Sequence, residues 1–475
     1  MPIIYCGRFL FKKAKTADNE DQIMNNSINA AENPMGTESM GKLIIKTGIP
    51  LMLSLLINSL YNFVDSVFVS RVSENALTAL SLAAPVQILM SALGFGNAVG
   101  LNAVISKALG EKRQDKVRKA ADASIFIALC SWILIMILCL CFVRIYFRWQ
   151  SGGNTEIERY GIAYLSVCMM FSFGQMGQWV FDRFVIASGR SNLFLFTLSA
   201  ASITNLILDP IFIFGYFGVP RLETLGAAIA TVIGQITGMI AGILINRRWN
   251  KEIPFGLTLH PDWDSIVQIL KVGIPSTLVQ VLTSFVSVAL NSILLGFSST
   301  AVAVYGICGR IQGIVTVGVH GIDNGLIPIM AYNYGAGKHG RMKDAIRWTF
   351  LYSVLLYLLF FLVLEATPGS VLRIFDASDS MMSIGIPALR ILAVAYLISI
   401  PNMVIAAALQ GLSLGTRSMY LTMSRQAILP VVLAMALRGF GNLKLIWKCF
   451  ILAETICIPL ALFLWRKSFA EVTAE

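Results

Sequence analysis

Apolar runs of about twenty residues or more recur along this chain, separated by short polar connections. They fall at 43–69, 76–106, 121–147, 160–187, 193–215, 225–246, 268–296, 301–334, 346–367, 384–411, 419–437 and 443–465. A helix needs about 20 apolar residues to cross the hydrocarbon core of a bilayer. The pattern therefore predicts an all-α membrane protein with twelve transmembrane helices.

The pattern also repeats. IIKTGIP at Ile44 to Pro50 recurs as ILKVGIP at Ile269 to Pro275, and the same offset of 225 residues carries Ala76 onto Ala301, Gln87 onto Gln312, Gly96 onto Gly321, Gly100 onto Gly325 and Gly110 onto Gly335 without a gap. Self-similarity at a fixed offset marks a duplicated architecture. Two pseudo-symmetric six-helix lobes are predicted, at 41–246 and 268–467. A basic linker joins them at 247–267, containing Pro254 and Pro261. With an even number of spans per lobe both copies insert the same way, so their symmetry axis runs along the membrane normal and the space between them is the expected substrate path. Residues 1–40 read as a disordered cytosolic tail and 468–475 as a second cytosolic tail.

Composition agrees with this class. Of 475 residues, 56% are hydrophobic and 13% charged, and the mean hydropathy is +0.72. A formal net charge of +11 would draw attention to nucleic acid, but the basic residues cluster between apolar blocks, with no aromatic stacking module beside them. Lys107, Lys112, Arg113, Lys116, Arg118 and Lys119 crowd the second connection, Arg247, Arg248 and Lys251 the sixth, and Lys338, Arg341, Lys343 and Arg347 the eighth. By the positive-inside rule both termini are expected in the cytosol of a multi-pass cell-membrane protein. The eight cysteines show no CxxC spacing and no pairing with the three histidines at metal-ligand intervals, so neither a disulfide framework nor a zinc site is expected.

Two aspartates interrupt apolar spans: Asp65 in LMLSLLINSLYNFVDSVFV and Asp209 in NLILDPIFIF. A carboxylate at bilayer depth costs roughly 2.5–3.5 kcal/mol on insertion scales, which makes it a functional-site hypothesis with a partner to be named. Asp65 lies six residues before Arg71 and Asp209 six before Gly215. At a rise of 1.5 Å per residue both sit roughly 9 Å inside the same boundary. Pro210 biases Asp209 away from helical geometry. Oxygen ligands around two carboxylates suit a hard cation such as sodium. Two close carboxylates in low dielectric cannot both stay ionised cheaply, so a bound cation neutralises the pair or one member holds a proton.

GIP followed by YNFVDSVFVSR in the first span, ASGRS after the fourth, NLILDPIFIFGYFG in the fifth, LGAAIATVIGQ in the sixth and YNYGAGK after the eighth resemble the multidrug and toxic compound extrusion (MATE) family, its prokaryotic multidrug-efflux branch in particular. The resemblance runs from about Gly41 to Arg466. It implies an antiporter that exports amphipathic, often cationic compounds in exchange for H+ or Na+, with the cation site in the N-terminal lobe. The family's cation-site residues fall on Asp65, Asn205, Asp209 and Thr231, with Tyr61 a further match near the site, and its first-helix bend falls on Pro50.

Gln178, Gln280 and Asp323 are candidates for the substrate cavity, as are Phe171, Phe173, Met169, Met170 and Met176. Asp182 and Arg183 read instead as a local or snorkelling pair near the cytosolic end of the fourth span. In the second lobe Arg310, His320, Arg390 and Arg425 are further cavity candidates, each of them read first as a structural partner. At the repeat offset Asp65 meets Leu290, so no matching cation site is expected there. A flippase for lipid-linked oligosaccharide is the alternative reading, and it would need a cationic chamber. No catalytic nucleophile with a base, metal cluster or phosphate-cradling loop is recognisable, which argues against an enzyme. The expected partners are an amphipathic small molecule and membrane lipid, without nucleic acid or an organic cofactor, for a protein acting as a monomer.

Overall fold

A computed structural model describes residues 33–258, 260–375 and 378–474. The described chain is helical nearly throughout, as expected where the bilayer offers the backbone no water and each segment must satisfy its own N–H and C=O groups. In the first half the elements are α1 Pro34–Thr37, α2 Met40–Ser70, α3 Glu74–Gly110, α4 Gln114–Gln150, α5 Thr155–Met170, α6 Phe173–Ala187, α7 Ser191–Phe214 and α8 Glu223–Trp249. In the second they are α9 Trp263–Leu295, α10 Ser299–Gly335, α11 His339–Ala366, α12 Pro368–Arg373, α13 Asp379–Gly411, α14 Gly415–Met423, α15 Leu429–Arg438 and α16 Leu443–Ala474. A π-turn, Ser424–Ile428, joins α14 to α15.

Among the described residues eleven stretches are long and apolar enough to span a bilayer. The fourth expected span is different, because it breaks into α5 and α6, of 16 and 15 residues. Neither half crosses a bilayer alone, and together they make the twelfth passage. Repeat-related capping sets the helix starts: Ser73 accepts a hydrogen bond from the Ala76 amide and Ser298 one from the Ala301 amide, both at 3.0 Å. A serine at this position satisfies one of the amides that a helix N-terminus leaves unpaired.

Two large apolar cores form, one per lobe, beside two small clusters, and the first helices of the two lobes exchange ends. Met40, Leu43 and Ile44 of α2 pack into the second-lobe core, and Ile266 and Ile269 of α9 into the first-lobe core. Ile44 and Ile269 are related by the repeat, so the exchange is symmetric. Glycines let the backbones meet. A methyl group at Gly100 of α3 would lie 2.1 Å from the Ile269 carbonyl oxygen of α9, and one at Gly321 of α10 would lie 2.6 Å from the Met52 nitrogen of α2. These contacts occupy the halves of the helices nearest the basic connections, here termed the basic end.

Three expected boundaries shift. Residues 33–40, expected within a disordered tail, are ordered: Met35 is 0% exposed, and Arg341 donates to the carbonyls of Met35 at 3.1 Å and Glu38 at 2.7 Å. Asn33 reaches the first lobe and the connection that follows it, donating to the Ser188 carbonyl at 3.3 Å and to Glu252 at 3.0 Å. Residues 1–32 lie outside the described residues. The connection between lobes is only 250–262, because α8 extends to Trp249 and α9 begins at Trp263. It is tied down by the Gly256 amide on Asp122 at 2.7 Å and by Lys119 on Asp262 at 3.1 Å. The C-terminal tail is helical to Ala474, held by Val472 buried in the core and by Arg417 on Glu471 at 2.6 Å.

Candidate cation and substrate site

The first lobe encloses a chamber of about 560 Å³ walled by α2, α3, α5, α6, α7 and α8, with Asn324 of α10 closing it from the second lobe. Four of the five residues expected at a cation site line it: Asp65, Tyr61, Asn205 and Thr231. The fifth, Asp209, is 0% exposed and lies directly behind them. Asn205 holds the group together, its amide donating to Asp209 Oδ1 at 3.2 Å and to Thr231 Oγ1 at 3.4 Å. Asp65, 9% exposed, joins the wall from α2.

Three buried acceptor oxygens here receive no hydrogen bond: Asp65 Oδ1, Asn205 Oδ1 and Asp209 Oδ2. Buried polar atoms are ordinarily paired, and oxygen acceptors left without a donor are the kind of group that a hard cation or a proton satisfies. The donor set of two carboxylates, an amide oxygen and a hydroxyl fits sodium or a proton. Contrary to the sequence expectation, α7 runs through Asp209 and Pro210 without interruption. Pro210 withholds the N–H that the Leu206 carbonyl would otherwise accept. α2 likewise continues through Pro50, whose carbonyl accepts from Ser54 Oγ at 2.7 Å.

Asp182 and Arg183 are not a snorkelling surface pair. Both are buried and line the chamber together with Gln178. Thr197 fixes Asp182 with a hydrogen bond of 2.5 Å. Gln87, Gln175 and Gln235 add a polar wall that sequence reasoning missed, since isolated glutamines in apolar helices carry no spacing signal. The expected drug-pocket residues Met169, Met170, Phe171, Phe173 and Met176 are absent from the chamber wall, and Phe171 and Met170 face outward.

A second chamber of about 180 Å³ lies in the other lobe and receives Asp323, His320 and Arg425. Gln280 reaches neither chamber. Arg310 is exposed, and Arg390 pairs with Glu365 at 3.3 Å on the surface. Arg425 bonds Glu454 at 2.8 Å, a partner the sequence did not suggest, and Asn402 donates to the other Glu454 oxygen at 2.7 Å.

Comparison with known proteins agrees with this architecture. The MatE family model matches residues 50–211 and 275–436, two copies separated by the same 225-residue offset. The multidrug export protein MepA of Staphylococcus saprophyticus is 24% identical over 428 residues, covering 90% of this chain and 93% of that protein. MepA of Staphylococcus haemolyticus is 25% identical over 432 residues, covering 90% and 93%. A solved structure described as the outward-facing conformation of a multidrug resistance MATE family transporter superposes with a TM-score of 0.86 at 23% identity, covering 94% of this chain and 99% of that one.

Proposed function

We propose, from the premise that this chain belongs to the MatE family, that it is a secondary active multidrug efflux antiporter. It exports amphipathic, often cationic compounds in exchange for H+ or Na+. The observation that carries this reading is the set of orphaned oxygens on Asp65, Asn205 and Asp209 at and directly behind the wall of the 560 Å³ chamber. A cationic substrate and a small cation both answer the same unpaired carboxylate charge, so they compete. A ligand shifts a conformational equilibrium only by its differential affinity for the two states. The coupling cation therefore binds the Asp65–Asp209 group better in the state that releases substrate, and α2 transmits the change, with Pro50 as its weak point.

This reading places the protein in the cell membrane with both termini and the basic end in the cytosol, working as a monomer. The chamber's charges favour it over a lipid-linked oligosaccharide flippase. Asp65 and Asp182 on the wall outnumber Arg183, the reverse of what an anionic headgroup requires.

The test is ethidium movement in proteoliposomes under separately imposed sodium and proton gradients, with Asp65→Asn as the paired control. Transport driven by one gradient and lost in the variant is expected. Folded protein that moves neither ethidium nor other cationic dyes under either gradient overturns the antiporter reading and makes the flippase assay the next step.

A further inference from the structure

The proposed cation site uses the first chamber and leaves the second without a role. Arg425 and Glu454 form a buried ion pair at 2.8 Å, and Asn402 completes the carboxylate, so this pair is neutral overall. Asp323 is different. It is 6% exposed, its Oδ1 is buried without a hydrogen bond, and no cationic side chain among the described residues lies within ion-pairing distance of it. His320, three residues earlier, shares its helix face and the chamber wall. Arg425 lies on the same wall but is committed to Glu454, so the group of Arg425, Glu454 and Asp323 carries one carboxylate in excess, and a buried excess charge is costly enough to call for a further cation.

The size of the chamber indicates what kind of cation. At about 180 Å³ it is several times the roughly 30 Å³ that a water molecule occupies in the liquid, far more than a bare ion ligated by protein fills. It suits a small organic headgroup. Phe95 and Asn324 line both chambers, so the two adjoin where the lobes meet. Phe95 also offers an aromatic ring, whose face attracts organic cations. At the repeat offset Asp323 corresponds to Ala98, so this carboxylate is not a relic of the first-lobe site.

We propose that the second chamber is a subsite for a cationic headgroup, so that a substrate carrying two cationic heads on an apolar spacer is held in both lobes at once. The inference rests on the reading of the protein as an exporter of organic cations and names a substrate class for it. Joining two heads makes the second contact intramolecular, with a gain that peaks where the spacer matches the span and falls away on either side.

The experiment is displacement of ethidium from the purified full-length chain by polymethylene-bis(trimethylammonium) ions of increasing spacer length, beside alkyltrimethylammonium ions of the same chain length. The wild type is expected to show an optimum spacer, binding at least tenfold tighter than its single-headed counterpart. Asp323→Asn is expected to abolish the optimum. If that variant also loses ethidium, Asp323→Glu serves instead, its longer arm moving the optimum to a different spacer. Spacer-independent binding by the wild type, an optimum that survives in Asp323→Asn, or one that does not move in Asp323→Glu overturns the proposal. Because binding needs no gradient, failure of antiport and failure of the subsite are separate results.

Discussion

Gly110 and Gly335 meet across the two lobes by the same contact made in both directions. A methyl group on Gly110 would lie 2.0 Å from the Tyr332 carbonyl oxygen, and one on Gly335 would lie 2.1 Å from that of Lys107. Tyr332 and Lys107 are themselves related by the repeat offset, so the closure at the basic end is a two-fold contact between copies of one motif. Since both neighbours are backbone atoms, no side-chain rotation relieves the clash. Gly335→Val is expected to force the basic end apart, populating a state in which the lobes separate there. Spin labels at the exposed positions 112 and 343 would report a longer distance than in the otherwise unmodified protein, and an unchanged distribution would count against this account of the seam.

Arg341 anchors the segment before α2. Its guanidinium bonds the carbonyls of Met35 and Glu38, at 3.1 and 2.7 Å, and Asn333 Oδ1 at 3.1 Å. Hydrogen bonds to charged groups contribute about 1.5–3 kcal/mol each, and the fork geometry is one that lysine does not reproduce. Arg341→Lys is therefore expected to release residues 33–40 while leaving the lobes folded. Amide hydrogen exchange over residues 35–40 should be faster than in the wild type, and equal rates would show that the segment is held by other means.

The Arg425–Glu454 pair sits where removing one partner strands the other. Breaking a buried pair from one side costs about 3–5 kcal/mol, whereas replacing both members with apolar residues is often close to neutral. Glu454→Gln should lower the thermal midpoint in detergent clearly more than the double change Arg425→Met with Glu454→Leu. Additive losses in the double variant would indicate that the two side chains act independently.

Asp262, at the start of α9 and outside the membrane spans, is held below its ordinary value of 3.8, chiefly by the Ser265 hydroxyl and then by Lys119 and the Ser265 amide. A carboxylate that binds its proton more weakly in the folded state stabilises that state when ionised. The contribution is complete above the ordinary value and fades as pH falls through the lower folded-state value. Asp262→Asn keeps a competent helix cap but loses the charge. The wild type should melt above it at neutral pH, and the gap should close toward pH 3. A gap independent of pH would assign the effect to the cap.

The sequence by itself determined the membrane class, the twelve passages, the duplication and the first-lobe oxygen cluster. Each of these is written in local or periodic terms: run length, a fixed offset, and the one-turn spacing of Asn205 and Asp209. Asp65 and Asp209 were legible as carboxylates inside apolar spans, and Asn205 and Thr231 through the family resemblance, with helix rise placing Thr231 at the depth of the two aspartates. Tertiary structure decided the rest. Whether Asp182 and Arg183 face lipid or a chamber depends on how α6 packs against its neighbours, which put both on the chamber wall. The Arg425–Glu454–Asn402 group joins three helices far apart in the chain, and no spacing rule spans such separations. The exchanged ends of α2 and α9 likewise arise only on packing, because a helix's apolar face specifies that it must be buried but not which lobe buries it.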